Sequence, residues 1–362
     1  MLLSGGDGGT VYVLGDSVGL YSGVVTGPNI IVLKLSASNG NSAYGDDSHG
    51  SPIPARWTGP KGYATSAEMA LPGACSGEGT VPELFVAGTQ LVTGTGYDYI
   101  LLGLTLSQAS FGTRRTYNSA YTDTCVSLCA TCEGVYLTGY TDANHPTSST
   151  PIDYATIAFN RVLSATLWGP KFYDGASAHE NDYARQIVCL GSNLYVVGDS
   201  WGGTSHGYDI KAVLYSTVTG NAQWTSSDDQ GRYDNSVNHG EDRTSAAIVD
   251  KDSNVHIVGK SYNGSTNVVD FITLSFEAAG SNPGGLHWHL PGTPDTARGV
   301  VYFNGSGSGN DVGAAIGFGA NFMDEPNNHI ADIWVFGSAA GGASGGGSNQ
   351  QYTTIRYIQT EN

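Results

Sequence analysis

Leu194-Tyr-Val-Val-Gly198 is the stretch that decides the fold, because similar short apolar strands with a final glycine recur along the chain. Such a strand is apolar on both faces, which is typical of an inner strand covered on both sides. We expect the glycine to end the strand where neighbouring units crowd together. The other copies are Val11-Tyr-Val-Leu-Gly15, Leu84-Phe-Val-Ala-Gly88, Val135-Tyr-Leu-Thr-Gly139, Val255-His-Ile-Val-Gly259 and a degenerate Ala315-Ile-Gly-Phe-Gly319.

A second strand follows each copy after a polar loop, and an element with Trp comes third. A strand that begins with a small residue, usually two positions after an Asp, comes fourth. Four strands in a period of about 60 residues are typical of a propeller blade. The sequence therefore predicts an all-β fold, a single β-propeller of about six four-stranded blades, with seven blades as the alternative. The second strands start at Asn29, Asp98, Asp153, Asp209, Asp270 and Asp332, and the small residues are Ala64, Cys125, Ala184, Thr244 and Ala297.

This pattern resembles the SBBP-type β-propeller repeat, whose units combine a GNVYVTG-like strand, a DYxTIxY-like strand and a strand with Trp. The resemblance is strongest over residues 123–290, where VYLTG, DYATIAF, TLWGPKFYDG, DYARQI and LYVVGDS stand in the chain. It implies a propeller and frequent extracytoplasmic location. It implies no enzymatic activity and supplies no catalytic residues.

The C-terminus has a composition of its own. We expect residues 1–338 to form the propeller, residues 339–350 a Gly/Ser-rich linker and residues 351–362 a terminal strand. That strand either closes the ring within its own chain or pairs with a neighbouring subunit, which would build a filament. The residues of this candidate assembly strand are Tyr352, Thr354, Ile355, Tyr357 and Ile358.

Charge and hydropathy limit the partners. The net charge of −17 disfavours nucleic acid and anionic membrane surfaces. No run of about 18 apolar residues predicts a membrane-spanning helix. The polar surface comes largely from uncharged residues, which indicates an extracellular or cell-surface protein. The start of the chain, Met1-Leu2-Leu3, lacks the features of a signal peptide, and we interpret the chain as a product without its leader.

Cysteines and sequons fit an oxidising compartment. Five cysteines leave at least one thiol unpaired, and we expect one or two disulfides with a connectivity that spacing does not decide. Two acceptor sequons begin at Asn263 and Asn304 and permit N-glycosylation in a eukaryotic source. The cysteines are Cys75, Cys125, Cys129, Cys132 and Cys189.

No catalytic motif is found, so no enzymatic activity and no cofactor are expected. The acidic pairs Glu180 with Asp182 and Glu241 with Asp242 are interpreted as solvated turn residues. The turn Asp252-Ser-Asn254 could contribute to a calcium site, but we interpret it as an ordinary hairpin turn. Sialidase-type Asp-box turns are absent from the sequence.

The sequence therefore predicts a non-enzymatic, extracellular structural or interaction propeller whose partner is a protein, with self-assembly into a fibre as its most specific form. The alternative is a secreted carbohydrate-binding, lectin-like propeller or a carbohydrate-active one. Aromatic residues near the loops could stack on sugar rings in that case, but aromatic residues at strand ends more often pack between blades. These residues are Tyr140, Trp201, Tyr233 and Tyr262.

Overall fold

The described part of the chain is built of β-strands. We analysed a computed structural model, in which 23 strands form six antiparallel sheets and the described residues include no helix. The structure describes residues 2–4, 10–21, 24–36, 55–57, 61–69, 75, 84–105, 111–142, 152–175, 180–203, 207–225, 227, 229–235, 240–263, 268–280, 282–287, 299–303, 309–318, 329–341 and 349–360.

The first compact unit, Met1–Tyr173 with Thr217–Gly220, contains three of the sheets. In each of them the strands lie in chain order, as expected of a propeller blade. Blade 1 holds β1 (Leu2–Ser4), β2 (Thr10–Tyr21), β3 (Val24–Ser36) and β4 (Ala55–Arg56); blade 2 holds β5 (Gly62–Met69), β6 (Leu84–Val92), β7 (Gly96–Leu104) and β8 (Phe111–Tyr117); blade 3 holds β9 (Asp123–Ala130), β10 (Val135–Thr141), β11 (Asp153–Phe159) and β12 (Thr166–Tyr173).

The second compact unit, Asp174–Ser216 with Asn221–Asn362, contains the other three sheets. Blades 4 and 5 have four strands and blade 6 has three. Blade 4 holds β13 (Asp182–Leu190), β14 (Asn193–Gly203), β15 (Gly207–Ser216) and β16 (Arg232–Tyr233); blade 5 holds β17 (Asp242–Val249), β18 (Val255–Asn263), β19 (Val268–Phe276) and β20 (Val300–Phe303); blade 6 holds β21 (Val312–Phe318), β22 (His329–Gly341) and β23 (Asn349–Thr360). The predicted all-β propeller class and the count of about six blades are confirmed.

Within each unit the core lies between successive sheets. On β6, Leu84 and Val86 belong to the apolar cluster shared with blade 1, whereas Phe85 and Ala87 belong to the cluster shared with blade 3. Successive side chains of a strand point to opposite faces, so a strand between two sheets must be apolar at every position. This geometry is the physical reason for runs such as LFVAG, and it confirms that these strands are covered on both sides.

The motif glycine does not end its strand, and the expectation that it does was wrong. β14 continues past Gly198 to Gly203, and β2 continues past Gly15. The crowding comes from the first strand of the same blade, which carries a one-residue β-bulge opposite the glycine in blades 2 to 6. A Cβ on Gly259 would lie 2.0 Å from the carbonyl oxygen of Arg243. Glycine is therefore required by close backbone approach.

The sixth repeat was predicted one strand out of register. Ala315–Gly319 was assigned to the glycine-containing strand, but residues 312–318 form β21, the first strand of blade 6. The motif strand is β22, where Gly337 pairs with Gly313 beside the bulge. A Cβ on Gly337 would lie 2.4 Å from the carbonyl oxygen of Val312, as the motif position requires, whereas Gly317 has open space around it.

Hydrogen bonds link the motif strands of blades 1, 2 and 4 to the next blade. In these blades the residue after the glycine accepts the backbone N–H of the small residue that the sequence singled out. Asp16 Oδ1 accepts from Ala64 at 2.6 Å, and Asp199 Oδ1 accepts from Thr244 at 2.8 Å. Asp199 also binds Arg185 at 2.8 Å. A buried N–H without a partner costs about 1–3 kcal/mol, so these side chains hold adjacent blades together.

Candidate functional site

The C-terminal strand β23 lies at the edge of blade 6. It pairs with β22 of its own chain from Asn349 to Thr360, and among the described strands it has no other neighbour. The predicted linker is shorter than expected, because residues 339–341 belong to β22 and residues 349–350 to β23, while residues 342–348 lie outside the described part. A long edge strand presents unpaired N–H and C=O groups to the surroundings.

The two faces of β23 differ. Ile355 and Tyr357 pack on the apolar cluster between blades 5 and 6, and the Tyr357 hydroxyl donates to Thr273 Oγ1 at 3.3 Å. The opposite face is open, and Tyr352 on it is fully exposed. The predicted assembly residues therefore divide into a partly buried set and an exposed set, while the side chain of Ile358 lies outside the described residues.

The exposed face of β23 continues onto β22. Phe336 is 45% exposed there, opposite Thr354 in the register of the two strands. The guanidinium of Arg356 lies 5.7 Å from the ring centroid of Trp334. Exposed aromatic side chains beside a free strand edge form a surface suited to contact with another protein chain. We call this surface, made of Trp334, Phe336, Tyr352, Thr354 and Arg356, the blade 6 face.

A second candidate group consists of acidic side chains between blades 4 and 5. Asp209 belongs to β15, Asp234 follows β16, and Asp242 opens β17. One carboxylate oxygen of each residue lies within 4.8 Å of the other two. Asp209 and Asp242 are almost fully buried. The interpretation of Asp242 as a solvated turn residue was wrong, and so was that of Asp182, which is 1% exposed.

We call these three aspartates the acidic triad. Arg232 Nη1 lies 2.6 Å from Asp209 Oδ2, and the backbone N–H of Asn235 donates to Asp242 Oδ2 at 2.8 Å. Burial, with smaller contributions from the negative charges of Asp209 and Asp234, raises the pKa of Asp242 to about 7. The arrangement can hold a cation or share a proton between carboxylates.

The calcium alternative at Asp252–Asn254 is explained by a turn. Asp250 Oδ1 accepts the backbone N–H groups of Asp252 and Asn254 at 2.9 and 2.8 Å, and its Oδ2 lies 2.8 Å from His256 Nε2. These are the contacts of an Asx-type turn, in which a side-chain carboxylate replaces a backbone acceptor.

The cysteines divide into bonded and free residues. Cys75 and Cys132 form a disulfide with an S–S distance of 2.08 Å, and Cys129 and Cys189 are likewise disulfide-bonded. Cys125 is the free thiol, and burial raises its pKa to about 12. A buried thiol of this kind is chemically inert.

The remaining predicted positions are the two sequons and the loop aromatic residues. Asn263 is the last residue of β18 with its side chain outside the described residues, and Asn304 lies outside them altogether. Among the loop aromatics, Trp201 packs edge-on against Tyr208 with ring centroids 4.9 Å apart, and Tyr233 is 6% exposed. These contacts fit packing between strands.

Comparisons with known proteins found similarity to solved structures. No family model matches the chain, and no curated protein matches it. A solved structure of a subtype N11 neuraminidase-like protein of A/flat-faced bat/Peru/033/2010 (H18N11) is similar with a TM-score of 0.41 and 11% identity, over 97% of this chain and 84% of that chain. At this similarity the viral protein carries no argument about what the present chain does.

No helix in the described part of the chain is long and apolar enough to cross a membrane.

Proposed function

We propose that the protein is an extracellular, non-enzymatic structural propeller that assembles with further copies of itself through blade 6. The observation that carries the proposal is the edge position of β23. The outermost strands of blades 1 to 5 are two, seven, eight, two and four residues long, whereas the edge strand of blade 6 has 12 residues, from Asn349 to Thr360. Natural proteins usually keep edge strands short or charged to prevent pairing, and β23 is neither short nor strongly charged.

The exposed side chains support the same proposal. Tyr352 and Thr354 are residue types that favour pairing between strands, and Phe336 beside them is an aromatic side chain exposed to solvent. Contact with a second chain would cover this apolar surface and satisfy the free backbone groups of β23. A contact that joins β23 to a different surface of the next copy builds a filament, whereas pairing of two β23 strands closes a dimer.

The extracellular assignment rests on the cysteines and the composition. The Cys75–Cys132 disulfide closes a loop with a sequence separation of 57 residues, and such bonds persist in oxidising compartments.

The net charge of −17 opposes association of like molecules. Salt screens this repulsion, so assembly should increase with ionic strength.

A matched pair of lysine variants tests the proposal. Thr354→Lys places a charge on the exposed face of the edge strand, and Thr113→Lys makes the same change at an exposed position of β8, the outermost strand of blade 2. Both variants change the net charge by the same amount. We expect polymers of the parent chain in negative-stain images, polymers of Thr113→Lys and monomers of Thr354→Lys. Equal assembly of the two variants would contradict a role for β23.

A further inference from the structure

A polar cavity lies beside the outermost strand of blade 2. It has a volume of about 410 Å³ and is bordered by β8 of blade 2 and by the turn between β11 and β12 of blade 3. Cavities that hold small molecules usually have volumes of about 300–1,000 Å³, so this one has room for a single small ligand. Its lining is mostly polar, which favours a ligand with charged or hydroxyl groups over an apolar one.

Arg115 supplies positive charge to this cavity. It lies opposite Leu101 in the register of β7 and β8, and Leu101 belongs to the apolar cluster shared with blade 3. The Arg115 side chain is therefore on the face of β8 toward blade 3, where the cavity lies. Arg114 also borders the cavity, but its guanidinium lies 5.4 Å from the ring centroid of Trp57, on the side of blade 1.

The Arg115 guanidinium has no partner among the described residues. Its Nε atom is buried without a hydrogen bond, and no described carboxylate or carbonyl group pairs with its other nitrogen atoms. A partly buried cation normally has a counter-ion, because removing charge from water costs free energy. The chain has 32 acidic and 15 basic side chains, so carboxylates for pairing are plentiful. An arginine left unpaired at a cavity therefore points to a ligand that supplies the negative charge.

Hydroxyl groups of the turn between β11 and β12 border the same cavity. Asn160 holds this turn in place, because its Oδ1 accepts the backbone N–H groups of Ser164 and Ala165 at 2.8 and 3.0 Å. Asn160 Nδ2 donates to Ser164 Oγ at 2.7 Å, so that hydroxyl uses one lone pair and its own proton remains available for an acceptor in the cavity. Thr166 adds a second exposed hydroxyl at the border.

We infer that this cavity, the Arg115 pocket lined by Arg115, Ser164, Ala165 and Thr166, binds a small hydroxylated monocarboxylate. A planar guanidinium matches the two oxygens of a carboxylate and can donate to both of them. One unpaired guanidinium balances one negative charge, which favours a carboxylate over inorganic sulfate or phosphate. The hydroxyl groups of Ser164 and Thr166 bind hydroxyl groups of the ligand. This site is separate from blade 6 and does not depend on self-assembly.

Calorimetric titration of the full chain with sodium D-glucuronate tests the inference, with D-glucose and sodium sulfate as comparison ligands at equal ionic strength. Glucuronate is a hydroxylated monocarboxylate, and glucose has the same ring without the charge. We expect saturable binding of one glucuronate with a Kd on the order of 1 mM or below. Glucose and sulfate should bind at least about tenfold more weakly, because hydrogen bonds to a charged partner are the stronger ones. No saturable binding of glucuronate, or equal binding of glucose or sulfate, would overturn the inference.

Three variants locate the site. Arg115→Gln removes the guanidinium and should weaken glucuronate binding by about tenfold or more. Ala165→Trp keeps Arg115 but fills the cavity from an exposed position of the turn, and it should weaken binding to a similar extent. Lys61→Gln is the matched control, because it removes the same charge at an exposed position just before β5, outside the cavity, and it should leave the Kd unchanged.

Thermal unfolding midpoints equal to that of the parent chain show that a variant is folded. Unchanged glucuronate affinity in Arg115→Gln or in Ala165→Trp would overturn the inference. A loss of affinity in Lys61→Gln as large as that in Arg115→Gln would also overturn it, because binding would then depend on net charge alone.

Discussion

Replacing Gly259 by Ala should destabilise blade 5 severely. The added Cβ would lie 2.0 Å from the carbonyl oxygen of Arg243 and 3.1 Å from its carbonyl carbon. Both atoms belong to the backbone of β17, which the hydrogen bond from Thr244 to Asp199 holds in place. The clash can therefore be relieved only by moving the strand away from β18.

The magnitude follows from the distance. Carbon and oxygen atoms without a bond between them stay more than about 3 Å apart, so the strands must separate by roughly 1 Å, and overpacking of a close-packed interior typically costs about 1–3 kcal/mol, sometimes more. Moving β17 also lengthens the hydrogen bonds between the two strands. We therefore expect Gly259→Ala to lower the free energy of unfolding by about 3 kcal/mol or more.

Gly15→Ala is the matched control, because Gly15 holds the same motif position in blade 1 and a Cβ there meets nothing within 4 Å. The control should be neutral or slightly stabilising, since alanine reduces the freedom of the unfolded chain. Denaturation in guanidinium chloride measures the two midpoints. A difference below about 0.5 kcal/mol between the variants would refute the role assigned to the bulge. The same comparison of Gly337→Ala with Gly317→Ala tests the register of blade 6.

Three further predictions concern single side chains. Burial raises the pKa of Glu68 from 4.5 to about 7, so the native state holds this proton more tightly than the unfolded chain does. The free energy of unfolding should therefore fall by about 3 kcal/mol as the pH rises from 4.5 through 7. The Glu68→Gln variant, followed by denaturation at several pH values, should lack this decrease. Asp199→Ala leaves the Thr244 N–H without its acceptor and should cost about 1–3 kcal/mol in guanidinium chloride, whereas an unchanged midpoint would contradict the link between blades. Cys125 should react with a thiol reagent only in denaturant, and rapid labelling of the native chain would show that it is not buried.

The fold could be predicted because its signal repeats. Runs such as Leu194–Gly198 are apolar at every position, and only a strand covered on both sides requires that pattern. The assignment of the motif strand was wrong in blade 6, because the long segment between Phe276 and Val300 interrupts the regular period. Ala315–Gly319 also has a sequence similar to the motif. The correct strand, with Trp334 before Gly337, has the same apolar pattern and the same glycine.

The acidic triad could not be found by searching for adjacent acids. The sequence pairs Asp242 with its neighbour Glu241, which binds Arg243 at the surface, whereas its actual partners belong to blade 4. Sequence distance hides this contact, because it is made by the meeting of two blades. The available signal was the spacing of eight residues between Asp234 and Asp242, which the preceding repeat shares.

The edge of β23 was predictable only in part. Its β-branched and aromatic residues identified the strand, but this composition is the same whether the strand pairs within its own chain or with a neighbour. The register with β22 decides which side chains are covered, and it leaves Tyr352 exposed while Ile355 is packed.

Sedimentation velocity of the parent chain over a range of protein concentrations and salt tests the central claim most directly. Self-assembly through blade 6 predicts species far larger than the 37.7 kDa monomer, whose proportion increases with protein concentration and with ionic strength. A single 37.7 kDa species at every concentration and salt would contradict the proposed function and would turn attention to glycan binding.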